Sequence, residues 1–278
     1  VQAEKEFLAE LLGDIKANNL TLPTLPEVAL KVREVVDDKN ATAKEVTLVV
    51  STDAALSARL IQVANSPLYR ARNPIDNVQV AIARLGQGVV RNLVTSLVMQ
   101  QMFQATSDVT DTRLRALWEH STQVAAISGA LAGQFSMLQP DIAMLGGLVH
   151  AIGALPILVR AEDKPELLEN EALLDSLIEK LHPTVGKQIM QAWDFPQELI
   201  KVVSEYSDLK REGGPAIDYV DIVQVANLQS YLGTDHPLAK INWTEIPAFK
   251  KLGLDTDVSI VDMEGVSESV QEMSQVLM

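Results

Sequence analysis

Between Ile142 and Val159 the chain runs eighteen residues without a formal charge, and this run limits the available architectures more than any other segment. Eighteen apolar residues approach the length that spans a bilayer. The run also holds Gly146, Gly147, His150, Gly153 and Pro156, and a proline just past a glycine tends to break a helix in two. The expectation is therefore a buried central helix, broken near Gly153–Pro156, and no membrane span. The start, VQAEKEFLAELLGDIKANN, is charged and amphipathic, unlike a signal peptide. The chain reads as cytoplasmic.

Helical periodicity covers nearly all of the sequence, and strand alternation is nowhere sustained, so the predicted class is all-α. Residues 2–18 place Phe7, Leu8, Leu11, Leu12 and Ile15 on one face. Thr24/Glu27 and Thr42/Glu45 stand at capping-box spacing, with Pro26 suited to an early helical position. Asp53 is expected to cap a helix ending near Asn65-Ser66-Pro67, and Asp76 to cap one ending at Gly86. A helix over "GVVRNLVTSLVMQQMF" and long ones at about 110–135 and 139–153 follow. Shorter ones are expected near 170–181, 184–193, 197–207 and 215–232. Loops at 106–111, 208–216 and 233–243 are hinge candidates. Met263, Val266, Val270, Met273 and Leu277 form a stripe on a terminal amphipathic helix, which either docks on the body or makes a homodimer seam.

The charge balance restricts partners. A net charge of −14 repels phosphate backbones, and no Lys/Arg cluster with interleaved aromatics offsets it, so nucleic acid is not an expected partner. The absence of cysteine rules out disulfides and thiolate metal sites. Aromatics are only 4% while small aliphatics abound, which favours close helix packing.

Four histidines remain as candidates for chemistry: His120, His150, His182 and His236. His120 shares a helical face with Leu117, Val124 and Ile127. His150 shares one with Gly147, Ala151 and Ala154, where small side chains admit another helix. His182 precedes Pro183, and His236, in "GTDHPLA", reads as a surface residue. Singly, each inward histidine is more often a hydrogen-bonded core residue than a metal ligand. As a set they are of the type that a histidine-carboxylate centre needs, where imidazoles are joined by carboxylates that offset metal charge.

In order and context these residues resemble the HD superfamily of metal-dependent phosphohydrolases, through His120, "GLVHAIGAL" around His150, and His182 followed by Gly186 and Trp193. The departures are large. Ala151 replaces the paired Asp, Ala154 a common basic residue, Glu205-Tyr206 a His-His pair, and Asn227 the late Asp. The loop "REGGP" lacks the His and Tyr-Pro of the cyclic-di-GMP phosphodiesterases. The N-terminal half is similar to the HDOD domain, the non-hydrolase relative of that superfamily. The matching residues are Leu22-Pro23-Thr24-Leu25-Pro26, Asp53, Leu56, Arg59, Leu60, Ala64-Asn65-Ser66 and Ile82-Ala83-Arg84-Leu85-Gly86.

The resemblance implies an N-terminal helix at 1–20 and an HDOD domain at 21–232. That domain comprises a helical subdomain at 21–105 and a degenerate HD-like core at 110–232, and an extension follows at 233–278. It further implies a non-catalytic bacterial signalling module with vestigial cleft residues His120, His150, His182, Glu205 and Asn227. No cofactor is expected, the alternative being a residual phosphohydrolase with Fe, Mn, Zn or Ni on His120, His150 and His182. The implied partners are response regulators or cyclic-dinucleotide enzymes. Arg59, Asn65, Tyr69, Arg70 and Arg72 are candidate contacts for an acidic partner or phosphate-bearing ligand. For Arg70 and Arg72 a solvated loop is the plainer account, and for Arg59 an ion pair with a nearby carboxylate is.

Overall fold

The computed structural model describes the chain except residues 1, 21, 24–25, 68, 70–71, 91–92, 95–106, 136, 255, 257–266 and 269–278. Regular structure among the described residues is entirely helical. Helix α1 (Gln2–Lys16) buries Phe7, Leu11 and Ile15, each worth about 1.5–3 kcal/mol relative to exposure. Helix α2 (Pro26–Asp37) opens on proline, whose missing N–H is no loss in a first turn. Thr24, the cap expected for it, lies outside the described residues.

Local capping chemistry sets the next three helices. In α3 (Ala43–Val50) the Glu45 N–H donates to Thr42 Oγ1 at 3.2 Å, and the Thr42 N–H donates to the Glu45 carboxylate at 2.7 Å. At α4 (Ala54–Ala64) Asp53 accepts the Leu56 N–H at 2.8 Å. Helix α5 (Val78–Leu85) is capped by Asn77, which accepts the Val80 N–H at 2.8 Å. This corrects the expectation of Asp76 by one residue: Asn77 has the extended backbone (φ −145°, ψ 155°) that a cap requires. Gly86 ends the helix at φ +79°, a conformation that favours glycine. Of the next predicted helix, residues 87–90 and 93–94 are helical and the rest lies outside the described residues.

The core is built on α6 (Asp108–Ala132) and α7 (Pro140–Val149), the most extensive helix pair in the structure. Gly147 makes this approach possible: a Cβ there would sit 2.7 Å from Ser128 Oγ and 2.8 Å from Ala125 Cα. Helix α7 stops at Val149, residues 150–153 turn, and α8 (Ala154–Ala161) resumes with Pro156 in its first turn. The expected break is present. The most apolar eighteen-residue window within Pro140–Ala161 has mean hydropathy 2.1, yet 89% of that window is buried inside the protein, where a core helix pair belongs.

After the short α9 (Pro165–Leu168) the sequence suggests two helices parted at Pro183. The structure has one, α10 (Glu171–Ala192), with Pro183 inside it. Proline withholds the N–H that would bond the Glu179 carbonyl. The His182 imidazole compensates, donating from Nδ1 to the Ile178 carbonyl at 2.9 Å and lying against that of Glu179. Gly153 and Gly186 bring the turn and α10 into contact, since a Cβ on Gly153 would fall 2.1 Å from the His182 carbonyl oxygen.

Helix α11 (Gln197–Glu205) packs between α10 and α12 (Tyr219–Gln229), which is buried along its full length against α6 and α7. Two 3-10 turns, Pro237–Ala239 and Trp243–Glu245, lead to α13 (Pro247–Leu252). Trp243, Phe249 and Leu252 join the same hydrophobic cluster as Phe7 and Leu11, so the described part of the extension packs on the core through these side chains. The predicted terminal stripe lies outside the described residues. Helices α2, α3, α4 and α5 pack on one another and meet the core through α4 on α7, while α1 docks on α8 and α10.

The loop 208–216, a hinge candidate in the sequence, is held by charge. Arg211 donates to Glu205 at 2.7 Å, Asp218 at 2.6 Å and Asp221 at 3.3 Å, and Lys251 reaches Asp221 at 2.8 Å. Gly213 (φ +60°) lies so close that a Cβ would be 2.6 Å from the guanidinium.

Candidate functional site: a closed histidine cluster

His120 from α6, His150 from the end of α7 and His182 from α10 converge, joined by Tyr206 at the end of α11. The His120 and His150 rings are 5.3 Å apart and edge-on, and His150 lies 4.8 Å from the Tyr206 ring at 89°. Tyr206 donates its hydroxyl proton to His182 Nε2 at 2.8 Å. Because His182 Nδ1 faces a carbonyl, Nδ1 carries the ring proton and Nε2 is the acceptor. His150 likewise donates from Nδ1 to the Gly147 carbonyl at 2.5 Å, one of the free carbonyls of a helix end. His120 Nε2 meets Asn227 Oδ1 at 2.8 Å and the Tyr231 hydroxyl at 3.2 Å.

Burial sets the protonation of the cluster. Removal from water holds His150 down to about 3, with the neighbouring His120 acting in the same direction. Burial also lowers His120 and His182, against the opposing bond from Asn227 in the first case and from the Ile178 carbonyl in the second. Burial raises the Tyr206 phenol. At neutral pH the site is three neutral imidazoles and a protonated phenol.

A divalent metal does not fit this donor set. The lone pair of His182 Nε2 is taken by Tyr206, and His120 Nε2 faces an amide oxygen. Ala151 brings no carboxylate, and among the described residues no group of three or more His, Asp or Glu side chains is placed to hold an ion. Glu205, expected as a cleft residue, turns away: its carboxylate is paired with Arg211. Adjacent residues on a helix point about 100° apart, so only one of Glu205-Tyr206 can face inward. Tyr206 does so, continuing the face of Leu199, Val202 and Val203. Asn227 is in the cluster as expected.

His236 departs from its surface expectation. It is half-buried, with its ring stacked 3.7 Å from Tyr231, which stacks in turn 4.9 Å from His120. Tyr231 was not legible as a site residue, because the contact joins a loop to α12 and α6. Gln224 was also missed. Its amide donates to the Tyr206 and Asp208 carbonyls at 2.8 and 2.9 Å and fixes the end of α11.

The predicted contact residues divide. Arg59 is an internal strut rather than a free cation: it donates to the Leu20 carbonyl at 2.7 Å and lies 4.4 Å over the Trp193 ring. Asn65 is buried, exchanging hydrogen bonds with the Ile75 backbone at 2.7 and 3.0 Å. Tyr69 is half-buried, and its carbonyl accepts from Arg84 at 2.8 Å. Arg72 is exposed on a groove of about 500 Å³ beside Pro74, Gln191 and Phe195. Arg70 lies outside the described residues.

A helical core that gathers histidines from three helices around a missing carboxylate defines an HD-like all-α protein. The chain belongs to the HDOD domain family, which matches residues 22–209. It is 32% identical to a crystallised Shewanella amazonensis SB2B protein named as a metal-dependent phosphohydrolase, with all of both chains covered and a TM-score of 0.57. The MmoQ response regulator fragment of Methylococcus capsulatus str. Bath is 24% identical, over 87% of this chain and 94% of that one, with a TM-score of 0.67; that likeness is one of fold. An uncharacterized Treponema pallidum (strain Nichols) protein is 23% identical over 222 residues, 74% of this chain. The chain spans 42% of that relative's length.

Proposed function

We propose that this HDOD protein is a non-catalytic signal-transduction module that acts by binding a protein or small regulator. The observation that carries this reading is Tyr206, whose hydroxyl occupies His182 Nε2 while its ring packs against His150. A phosphodiester hydrolase of the two-metal type needs open imidazole lone pairs and a bridging carboxylate, and Ala151 and Tyr206 oppose both. Response regulators or cyclic-dinucleotide enzymes are the proposed partners, an assignment supported by the family and by the relative named as a response regulator. Arg72, exposed in an acidic protein, is the described residue best suited to an acidic surface on such a partner.

The test is phosphodiester cleavage of cyclic dinucleotides and nucleotides in the presence of Fe, Mn, Zn or Ni. No turnover is expected. Turnover that disappears in His150→Ala would overturn the reading. In the binding arm, a purified response regulator should be retained by the wild type and released by Arg70→Glu/Arg72→Glu. Equal retention by both proteins would remove the proposed surface.

A further inference from the structure

His236 is engaged both on the face of its ring and at its edge. The face stacks 3.7 Å from Tyr231 at an interplanar angle of 8°, and the Tyr231 hydroxyl stands 3.2 Å from His120 Nε2. At the edge, Nδ1 accepts the Leu238 N–H at 3.2 Å and so caps the 3-10 turn Pro237–Ala239. That bond fixes the tautomer: Nδ1 holds the lone pair, and Nε2 carries the proton of the neutral ring. Trp243 holds the other side of the same residue, donating from Nε1 to the Leu238 carbonyl at 2.8 Å. The Trp243 side chain is buried and stacks 5.4 Å from Phe249. Leu238 is thus tied through its N–H to a half-buried imidazole and through its carbonyl to a core indole.

We propose that His236 is a pH-sensitive latch: its neutral ring holds the Pro237–Ala239 turn in place, and protonation of the ring releases the turn. A proton on Nδ1 converts the acceptor into a donor that faces the Leu238 N–H, and two donors cannot share a hydrogen bond. The ring can keep its stack, because the face of Tyr231 attracts a cation, so the turn is the part that moves. The charged groups around the ring do not oppose this. Asp235 and Lys240, on the same loop, are exposed and pair with each other at 3.4 Å. Helix α12 brings Asp221, which is taken by Arg211 and Lys251. The second 3-10 turn brings the exposed Glu245, and His120 of α6 lies behind Tyr231. Burial lowers His236 beneath the ordinary histidine value of about 6.5. The turn is therefore held at neutral pH and let go as the pH falls through that lowered value. Since Tyr231 also meets His120, the latch sits on the edge of the histidine cluster. It depends neither on a partner nor on the absence of turnover.

Hydrogen exchange of the Trp243 indole N–H in the intact chain reads the state of the turn, expressed as protection relative to a free indole at the same pH. In the wild type, protection should fall as the pH is lowered from about 7 to 5, by up to about tenfold per pH unit, the limit for one coupled proton. The variant His236→Asn supplies the control, because an Asn side chain accepts a capping N–H at any pH, as Asn242 does for Thr244 at 3.1 Å in the next turn. Its Trp243 protection should lose that extra fall, while the Trp193 indole behaves alike in both proteins. Trp243 protection in the wild type that does not change with pH would overturn the proposal. So would an equal fall in His236→Asn, which would place the responsible proton on another group. Either outcome leaves the turnover and response-regulator results untouched, so the two readings fail separately.

Discussion

Tyr206 closes the histidine cluster by placing its hydroxyl 2.8 Å from His182 Nε2, with His150 edge-on to its ring. The phenol therefore stands where an open imidazole would otherwise face its neighbours. Removing only the hydroxyl, in Tyr206→Phe, should leave a buried acceptor unmade and cost about 1–3 kcal/mol. Tyr206→Ala should cost about 3–5 kcal/mol, because a cavity is added to the lost bond. Urea denaturation of both variants checks the order. Equal stability of Tyr206→Phe and wild type would show that the hydroxyl contributes nothing.

The protonation of His150 predicts a pH dependence. An unfolded histidine binds its proton below about pH 6.5, whereas folded His150 does so only below about 3. Between those values the unfolded chain holds more protons, so stability falls as pH falls, by up to about 1.4 kcal/mol per unit for this one group. Above pH 6.5 the term vanishes. His120 and His182 act in the same direction. His150→Asn, which keeps a donor for the Gly147 carbonyl but cannot titrate, should show a shallower decline between pH 6 and 4.

Gly153→Ala should be among the most damaging small substitutions. The new methyl would fall 2.1 Å from the His182 carbonyl oxygen and 2.5 Å from the Gly186 nitrogen, both backbone atoms. A loss of about 3 kcal/mol or more is expected from overpacking that the backbone cannot relieve. Gly214→Ala, with nothing within 4 Å, serves as the control. Thermal denaturation should separate the two by about 6–12 °C if the domain melts in one step.

Arg211→Ala should destabilise by about 2–3 kcal/mol, since it strips the cation from Asp218 and one of two from the buried Asp221, which keeps Lys251, with allowance for the exposed side of Glu205. Lys31→Ala, which removes an exposed pair with Glu34, should cost less than about 0.5 kcal/mol. Chemical denaturation at low and high salt distinguishes them.

Much of this was legible in the chain. The all-α class, the break before Pro156, the caps at Thr42 and Asp53, and the meeting of His120 with Asn227 all follow from local pattern or from family order. What was not legible depended on contacts distant in sequence. Pro183 reads as a helix boundary, because the side-chain bond of the adjacent imidazole to the Ile178 carbonyl is not visible in the sequence. Glu205 and Tyr206 read as one pair until the apolar face of α11 separates them. Arg59 and Asn65 look like surface contacts in a loop-flanked motif, but Trp193 and Ile75, brought in by the fold, bury their functional groups. Trp243 and Phe249 carry no motif, only apolar surface that α12 happens to cover.

The measurement closest to the central claim is the metal content of the intact chain after expression with Fe, Mn, Zn and Ni supplied. A cluster closed by Tyr206, with no carboxylate at Ala151, should retain far less than one ion per chain, and His150→Ala should leave that residue of metal unchanged. One tightly held ion per chain, lost in both His150→Ala and His182→Ala, would contradict the account.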